Sequence, residues 1–222
     1  MTKITLDIHK FPCLNDNYGY LVHEPVSGKT AAIDTPDAEK YLAEADRKGW
    51  TVTHILNTHW HPDHAGGNLR IKEVTGCTIY GPAGEAEKIP GIDVKLSEGD
   101  IVEFGHTLGH IAYHFSDQDV AFVGDAVFAL GCGRVFEGTM EMMWNSLTKL
   151  KALPPETQLY CAHEYTQANA RFAVTVDPQN KALTDYALWI DERRAEGLPT
   201  VPTRLDKELA TNPFLRADDP VL

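Results

Sequence analysis

Cysteine is scarce in this chain. There are four in 222 residues (Cys13, Cys77, Cys132 and Cys161), scattered and without a CxxC pair. That spacing argues against a disulfide scaffold and against a thiolate zinc knuckle. Basic residues are also few: 20 Lys and Arg stand against 32 Asp and Glu, for a formal charge of −12. Recognition of nucleic-acid phosphate needs a basic footprint, so no nucleic-acid partner is expected, and an anionic membrane surface is disfavoured for the same reason. A small anionic substrate is not excluded, because a few local Arg or Lys side chains override a distant field. No apolar run approaches a membrane span, and MTKITLDIHK lacks an apolar core of signal-peptide length. The expected location is the cytoplasm. Internal repeats and low-complexity tracts are absent too.

What is present is the balance of an ordinary folded protein, 43% hydrophobic and 23% charged, long enough for one large domain or one domain with an appendage. Up to residue 163 the chain reads as short strands alternating with turns and a few helices. TKITLDI, YGYLVHE, TAAID, VTHILN, CTIYG, DIVEF, IAYHF, VAFVG and QLYCA have strand length and composition. One helix is clear between them: Thr35 is the expected cap, Pro36 suits the first turn, Ala38, Tyr41, Leu42 and Ala45 share a face, and Gly49 stops it. GGNLRIKEVTG and MEMMWNSLTKLKAL read as two more. After residue 163, EYTQANARFAVTV and PQNKALTDYALWIDERRAEG are helical, separated by Pro178, and LPTVPT leads to a short last helix. The expected division is 1–163 for a strand-rich layered domain and 164–222 for a small helical region.

The stretch THWHPDHAGG carries the chemistry. His59 and His61 are two apart, so an extended segment points both to one side. They follow the apolar VTHILN at its C-terminal end, where α/β sheets carry ligands. Pro62 turns the chain, and Asp63 and His64 follow at the start of a helix. His59 and His61 are placed to share one ion while Asp63 and His64 reach towards a second. Gly66 and Gly67 are expected to leave room for whatever binds. Further ligands are available from HTLGHIAYHF (His106, His110, His114), from Asp125 after the apolar VAFVG, and from His163 after QLYCA. A carboxylate at the end of an apolar strand is costly to bury unless paired or coordinated. Imidazole and carboxylate donors suit zinc and also permit iron or manganese.

With THWHPDH, the segments HTLGH, GDAVFALGCGRVFEGT, AHEYTQANARF and NPFLR resemble the metallo-β-lactamase fold and, within it, glyoxalase II, the hydroxyacylglutathione hydrolases. HxHxDH alone marks the superfamily; GCGRxFEGT, HEYT and NPFLR are specific to the subfamily. The resemblance implies an α/β fold, a four-layer αββα sandwich with a C-terminal helical region. It implies two divalent metal ions per chain, zinc first. His59, His61 and His106 would hold one, Asp63, His64 and His163 the other, with Asp125 bridging. His110 would not be a ligand; His9, His23, His54 and His114 have no motif role, and Cys132 reads as a small packed residue. A water shared by two ions is brought towards neutral pKa, with Asp63 and Asp125 the carboxylates closest to that chemistry. The implied substrate is a glutathione thioester, chiefly S-D-lactoylglutathione, hydrolysed by a monomer to D-lactate and glutathione.

Four positions are implied to meet the glutathione: Arg134 in GCGR, Phe136 where some relatives have tyrosine, Tyr165 in HEYT and Arg216 in NPFLR. The chain departs from the family before His106, where EGDIVEFG runs directly into HTLGH and an extra strand and turn are missing. Either IVEF takes the place of that strand and delivers His106, or the first metal loses a ligand and the chain binds without turnover. A glutathione persulfide dioxygenase of the same fold is the other reading of the metal motif, disfavoured by GCGRxFEGT and NPFLR.

Overall fold

The computed structural model describes residues 5–97, 100, 112–135, 138–220 and 222. All of the expected strand DIVEF but Asp100, and the whole HTLGH segment with His106 and His110, lie outside the described residues, as does Phe136. The chain forms two compact units, Met1–Gly124 and Asp125–Leu222.

The first unit is built on a six-stranded sheet in chain order: β1 (Asp7–Cys13), β2 (Asn17–Glu24), β3 (Lys29–Ile33), β4 (His54–Leu56), β5 (Thr78–Pro82) and β6 (Val94–Leu96). β1, β2 and β3 pair antiparallel, and β3 to β6 are parallel. Parallel neighbours need crossovers. These are α1 (Ala38–Lys48) between β3 and β4, α2 (Pro62–Ala65) with α3 (Asn68–Thr75) between β4 and β5, and residues 83–93, which open with a 3-10 turn at Ala83–Glu85, between β5 and β6. A hairpin of β7 (Tyr113–Phe115) and β8 (Val120–Gly124) completes the unit.

One sequence expectation is narrowed here and one is corrected. Of the expected strand TKITLDI, Thr5 and Leu6 precede β1 while Asp7 and Ile8 open it against β2; Thr2, Lys3 and Ile4 lie outside the described residues. The cap of α1 is Asp37, which accepts the Lys40 amide at 3.1 Å. Thr35 is instead drawn inward, its hydroxyl donating to Asn68 Oδ1 at 2.5 Å. Gly49 does end α1, in the left-handed conformation at φ 70°. The short β6 had no clear alternation to announce it.

The core of this unit joins Phe11, Leu21, Ile55 and Ile79 of the sheet to Tyr41 of α1 and Ile71 of α3. Tyr41 is fully buried, yet its hydroxyl is satisfied: it donates to Ile33 O at 2.9 Å and accepts from Tyr20 N at 3.0 Å. One side chain thus fastens the helix to two adjacent strands.

The second unit holds the hairpin β9 (Val127–Phe128) and β10 (Gly131–Cys132), the helix α4 (Met140–Lys151), and the antiparallel pair β11 (Gln158–Cys161) and β12 (Thr203–Arg204). The helices α5 (Thr166–Val176), α6 (Lys181–Ala195) and α7 (Leu205–Thr211) form its C-terminal part. Ala170 and Ala173 of α5 face Leu183, Tyr186 and Ile190 of α6, and Leu130 from the β9–β10 turn inserts among them. Among the described residues, no helix is long and apolar enough to cross a membrane.

Replacing Tyr41 with phenylalanine leaves the volume almost unchanged and strips the partner from two buried backbone groups. The expected loss is about 1–3 kcal/mol of stability in urea unfolding. A change below about 0.5 kcal/mol would mean water or a backbone shift takes over both bonds.

Candidate metal centre

β4 ends at Leu56, and the next two residues are buried polar ones, Asn57 and Thr58. Asn57 ties the following loop together. Its amide donates to His64 O at 2.9 Å, its side-chain oxygen accepts from Asn68 at 2.7 Å, and its carbonyl accepts the Tyr113 hydroxyl at 2.7 Å. His61 precedes α2, with Pro62 at its first position, so Asp63 and His64 project from one short helical turn.

The close approach expected at the glycines is of a different kind. A Cβ on Gly67 would stand 2.7 Å from Thr35 O and 2.9 Å from Ala38 N. Gly67 N also donates to Thr35 O at 2.7 Å. This glycine lets the loop pack on the β3–α1 turn rather than leaving room for a ligand.

Within this loop the donor groups converge. His59 Nε2 and His61 Nδ1 are 2.9 Å apart, and the His59 and His64 rings are 3.9 Å apart between centroids. His64 is buried, and its Nε2 lies 3.6 Å from Asp63 Oδ2. Asn17 Nδ2 steadies Asp63, donating to its carboxylate at 3.4 Å and to its carbonyl at 3.3 Å.

Sequence reasoning missed the residue beneath this loop, Asp34 at the end of TAAID. Its carboxylate accepts Thr58 N and Thr58 Oγ1, both at 2.8 Å, and meets His64 Nδ1 at 2.9 Å. Burial alone would raise its pKa, but His64 and these hydrogen bonds hold it below the ordinary carboxylate range. Engaging Nδ1 fixes the tautomer of His64 and turns Nε2 towards Asp63, the carboxylate–histidine arrangement that metal ligands use. The available signal was an aspartate closing an apolar strand, the same signal that singled out Asp125. His59 is pushed down to about 4 by burial, with His64 adding to the effect. It is therefore neutral and keeps a lone pair at neutral pH, as a ligand must.

In the second unit, Asp125 and the buried His163 meet at 3.5 Å between Oδ1 and Nε2. His163 follows β11 closely and stacks on Tyr165, with ring centroids 4.8 Å apart and planes 3° apart. Gly133 N donates to Ala126 O, and a Cβ at Gly133 would collide with the Asp125 carbonyl oxygen. The loop that carries Arg134 therefore lies directly on the backbone of Asp125.

Arg134 is exposed, as is part of Tyr165. Arg216 is already engaged, with one guanidinium nitrogen on Asp177 at 2.6 Å and another on Asp219 at 2.9 Å. Cys132 is half-buried, and burial raises its thiol to about 11, which fits a packed residue rather than a nucleophile.

Two donor pairs pass a simple test of fit to a metal. Ligand atoms about 2.0–2.2 Å from a tetrahedral ion stand roughly 3.3–3.6 Å from one another. The His64–Asp63 and His163–Asp125 separations, 3.6 and 3.5 Å, fall in that range, whereas His59 Nε2 and His61 Nδ1, at 2.9 Å, stand at hydrogen-bond spacing. Neutral imidazoles and carboxylates form a site for a divalent ion.

Comparison with known proteins agrees. Residues 25–102 and 91–163 match the metallo-beta-lactamase superfamily, and residues 164–222 match the hydroxyacylglutathione hydrolase C-terminus. The superfamily match comes in two segments that meet around residues 91–102, next to the place where the sequence reading puts the missing segment. A hydroxyacylglutathione hydrolase of Hyphomonas neptunium is 68% identical, the alignment covering 98% of this chain and 90% of that protein. One from Erythrobacter litoralis is 60% identical with the same coverage. The first alignment spans 229 positions against 222 residues here, so the relative has residues within the shared span that this chain lacks. Among solved structures, the BLEG-1 B3 metallo-beta-lactamase superposes with a TM-score of 0.68 at 19% identity, over 94% of this chain and 99% of that one. The chain has the metallo-β-lactamase fold and belongs to the hydroxyacylglutathione hydrolase family.

Proposed function

We propose that this protein hydrolyses S-2-hydroxyacylglutathione thioesters, S-D-lactoylglutathione first among them, to the hydroxy acid and glutathione. The observation that carries the reading is the buried His64, oriented by Asp34 and presenting Nε2 beside Asp63 in a chain of this family. His59, His61 and His106 would hold one divalent ion and Asp63, His64 and His163 a second, with Asp125 shared. Zinc suits these donors best, with iron or manganese permitted. When bound, such ions supply a water of near-neutral pKa and polarise the thioester carbonyl.

The chain's own residues do the rest. Asp34 keeps His64 in one tautomer, and Asn17 and Thr58 restrain Asp63 and His59. A thiol has a pKa of about 8.5, so glutathione leaves without a strong general acid, and none is assigned. Arg134, exposed on the loop beside Asp125, is the cation assigned to a glutathione carboxylate. The Tyr165 hydroxyl is assigned to the bound peptide, and Phe136 would contribute an apolar contact in place of a hydroxyl. Arg216 contributes by holding the C-terminal tail against the end of α5 through Asp177. In this division residues 1–163 supply the ligands and 164–222 help to seat the substrate. Four free cysteines accord with a reducing cytoplasm, where glutathione is found, and a small substrate asks only for a monomer.

Purified protein should hydrolyse S-D-lactoylglutathione and carry about two metal ions per chain by elemental analysis. A chelator should abolish turnover, and zinc should restore it. An intact fold with full metal content but no hydrolysis would overturn the assignment. His106→Ala should lower the metal content; an unchanged content would remove His106 from the ligand set.

Asp34→Ala should weaken metal binding or activity by roughly 10–100-fold, the usual cost of losing the partner of a ligating histidine. Competition with a chromophoric chelator measures this directly. An affinity equal to that of the parent chain would show that His64 is oriented without Asp34.

A further inference from the structure

The turn between β9 and β10 is held in an unusual way. It consists of Ala129 and Leu130, both fully buried, and Leu130 has φ +57°, a conformation that L side chains rarely adopt. Tight hairpins normally place glycine or asparagine at such a position. Leucine is kept here because its side chain fills the α5–α6 cluster. The polar groups of the turn are then matched by side chains from the C-terminal helices. Leu130 N donates to Glu208 Oε2 at 2.8 Å, and Asn169 Nδ2 donates to Ala129 O at 3.0 Å. Asn212 Nδ2 donates to Gly131 O at 3.0 Å and to Phe128 O at 3.3 Å.

Glu208 is the hub of this arrangement. It is wholly buried, and its Oε2 also accepts Asn212 Nδ2 at 3.0 Å while Oε1 accepts the Thr203 hydroxyl at 2.6 Å. Among the described residues no cation forms an ion pair with it; burial pushes its pKa up, and these donors oppose the push. A buried carboxyl is expensive unless its acceptors are used, and here both oxygens serve to place one turn. The consequence continues along the chain. Cys132 is two residues past Leu130, and Gly133 then packs on the Asp125 backbone immediately before Arg134.

We infer that Glu208, with Asn212 and Asn169, is a positioning residue for the reaction: by fixing the 128–131 turn it sets where Asp125 and Arg134 stand. This rests on the function proposed above, in which Asp125 is a metal ligand and Arg134 meets the substrate. Glu208 itself touches neither metal nor substrate.

The test compares Glu208→Ala with Glu208→Gln in the full chain. Glutamine can repeat the pattern, its carbonyl accepting from Leu130 N and Asn212 while its amide donates to Thr203 Oγ1, whose own proton then turns to Tyr186 Oη, 3.3 Å away. Glu208→Gln should keep kcat/KM for S-D-lactoylglutathione within about threefold of the parent. Glu208→Ala should lose roughly 10–100-fold, with kcat falling as Asp125 shifts and KM rising as Arg134 shifts. Two readouts need no turnover. In Glu208→Ala the Leu130 amide should exchange faster, and the Cys132 thiol, half-buried where the other three are buried, should react faster with a disulfide reagent. Both should return to parent values in Glu208→Gln.

A folded Glu208→Ala protein with faster Cys132 labelling but parental kcat and KM would overturn the inference, leaving Glu208 a packing residue. An unchanged Leu130 amide would overturn it as well. If Glu208→Ala fails to fold, Asn169→Ala removes only the bond to Ala129 O and must move kcat and Cys132 labelling in the same direction, or the inference falls. A parent protein without thioesterase activity would overturn the proposed function instead. Bound-metal content of Glu208→Ala relative to the parent would then decide the placement of Asp125 by itself.

Discussion

Asp34 is the constraint from which the first unit follows. An ionised carboxylate out of water is tolerable only when its oxygens are filled. The available donors are the Thr58 amide, the Thr58 hydroxyl and the His64 ring. Satisfying them draws the end of β3, the residues after β4 and the first turn of α2 to one point. The backbone of Thr35 then closes the ring, with Thr35 N on His64 O at 2.6 Å and Gly67 N on Thr35 O at 2.7 Å. Once Asp34 is buried, the four side chains of HWHPDH have little freedom in where they point. The same bond that makes the anion tolerable also orients His64 for the ligand role proposed for it.

The second unit solves a related problem with the roles reversed. In the first, a buried carboxylate holds a side chain that does chemistry; in the second, Glu208 holds a backbone turn that precedes one. Asparagine does parallel work in both. Asn57 and Asn68 fill the backbone and each other in the loop after β4, and Asn169 and Asn212 do so for the β9–β10 turn. Buried asparagine suits this task because one amide offers a carbonyl and two N–H groups without the cost of a charge. Asn57, Asn68 and Asn212 are fully buried and Asn169 is half-buried, so the polar parts of each unit are as determined as its apolar ones.

Much of this was legible beforehand. HxHxDH, the apolar strands ending at Asp125 and near His163, and the helices α3, α4, α5 and α6 could be read directly, since periodicity and strand-end polar residues are local signals. The cap of α1 was misplaced because Thr35 and Asp37 are equally good caps in isolation, and only the tertiary demand of Asn68 on Thr35 separates them. Gly67 was given a ligand-accommodating role for a similar reason: a glycine signals close approach but not what approaches. Asp34 and Glu208 were passed over because a lone acidic residue looks like surface in a chain of charge −12. Their importance is created by burial, which depends on contacts far along the sequence. Arg216 was placed at the glutathione by its motif alone, and its bond to Asp177, 39 residues earlier in the chain, is a contact that no local signal announces.

The candidate ligands sit close to strand ends, a placement that depends little on the length of the connections between strands. His59 comes shortly after β4, Asp125 directly after β8 and His163 shortly after β11. A strand end is fixed by its ladder and by the polar side chains that finish it, as Thr58 does beside Gly124, where an added Cβ would stand 2.6 Å from Thr58 Oγ1. Residues gained or lost in the chain between two strands move neither end. A chain with fewer residues than its 68%-identical relative over the same span can therefore keep the described ligand pairs at metal-like spacing. For the ligand set proposed here, what a shorter connection must still do is bring His106 to a strand end of its own, and that demand falls on the residues leading to it.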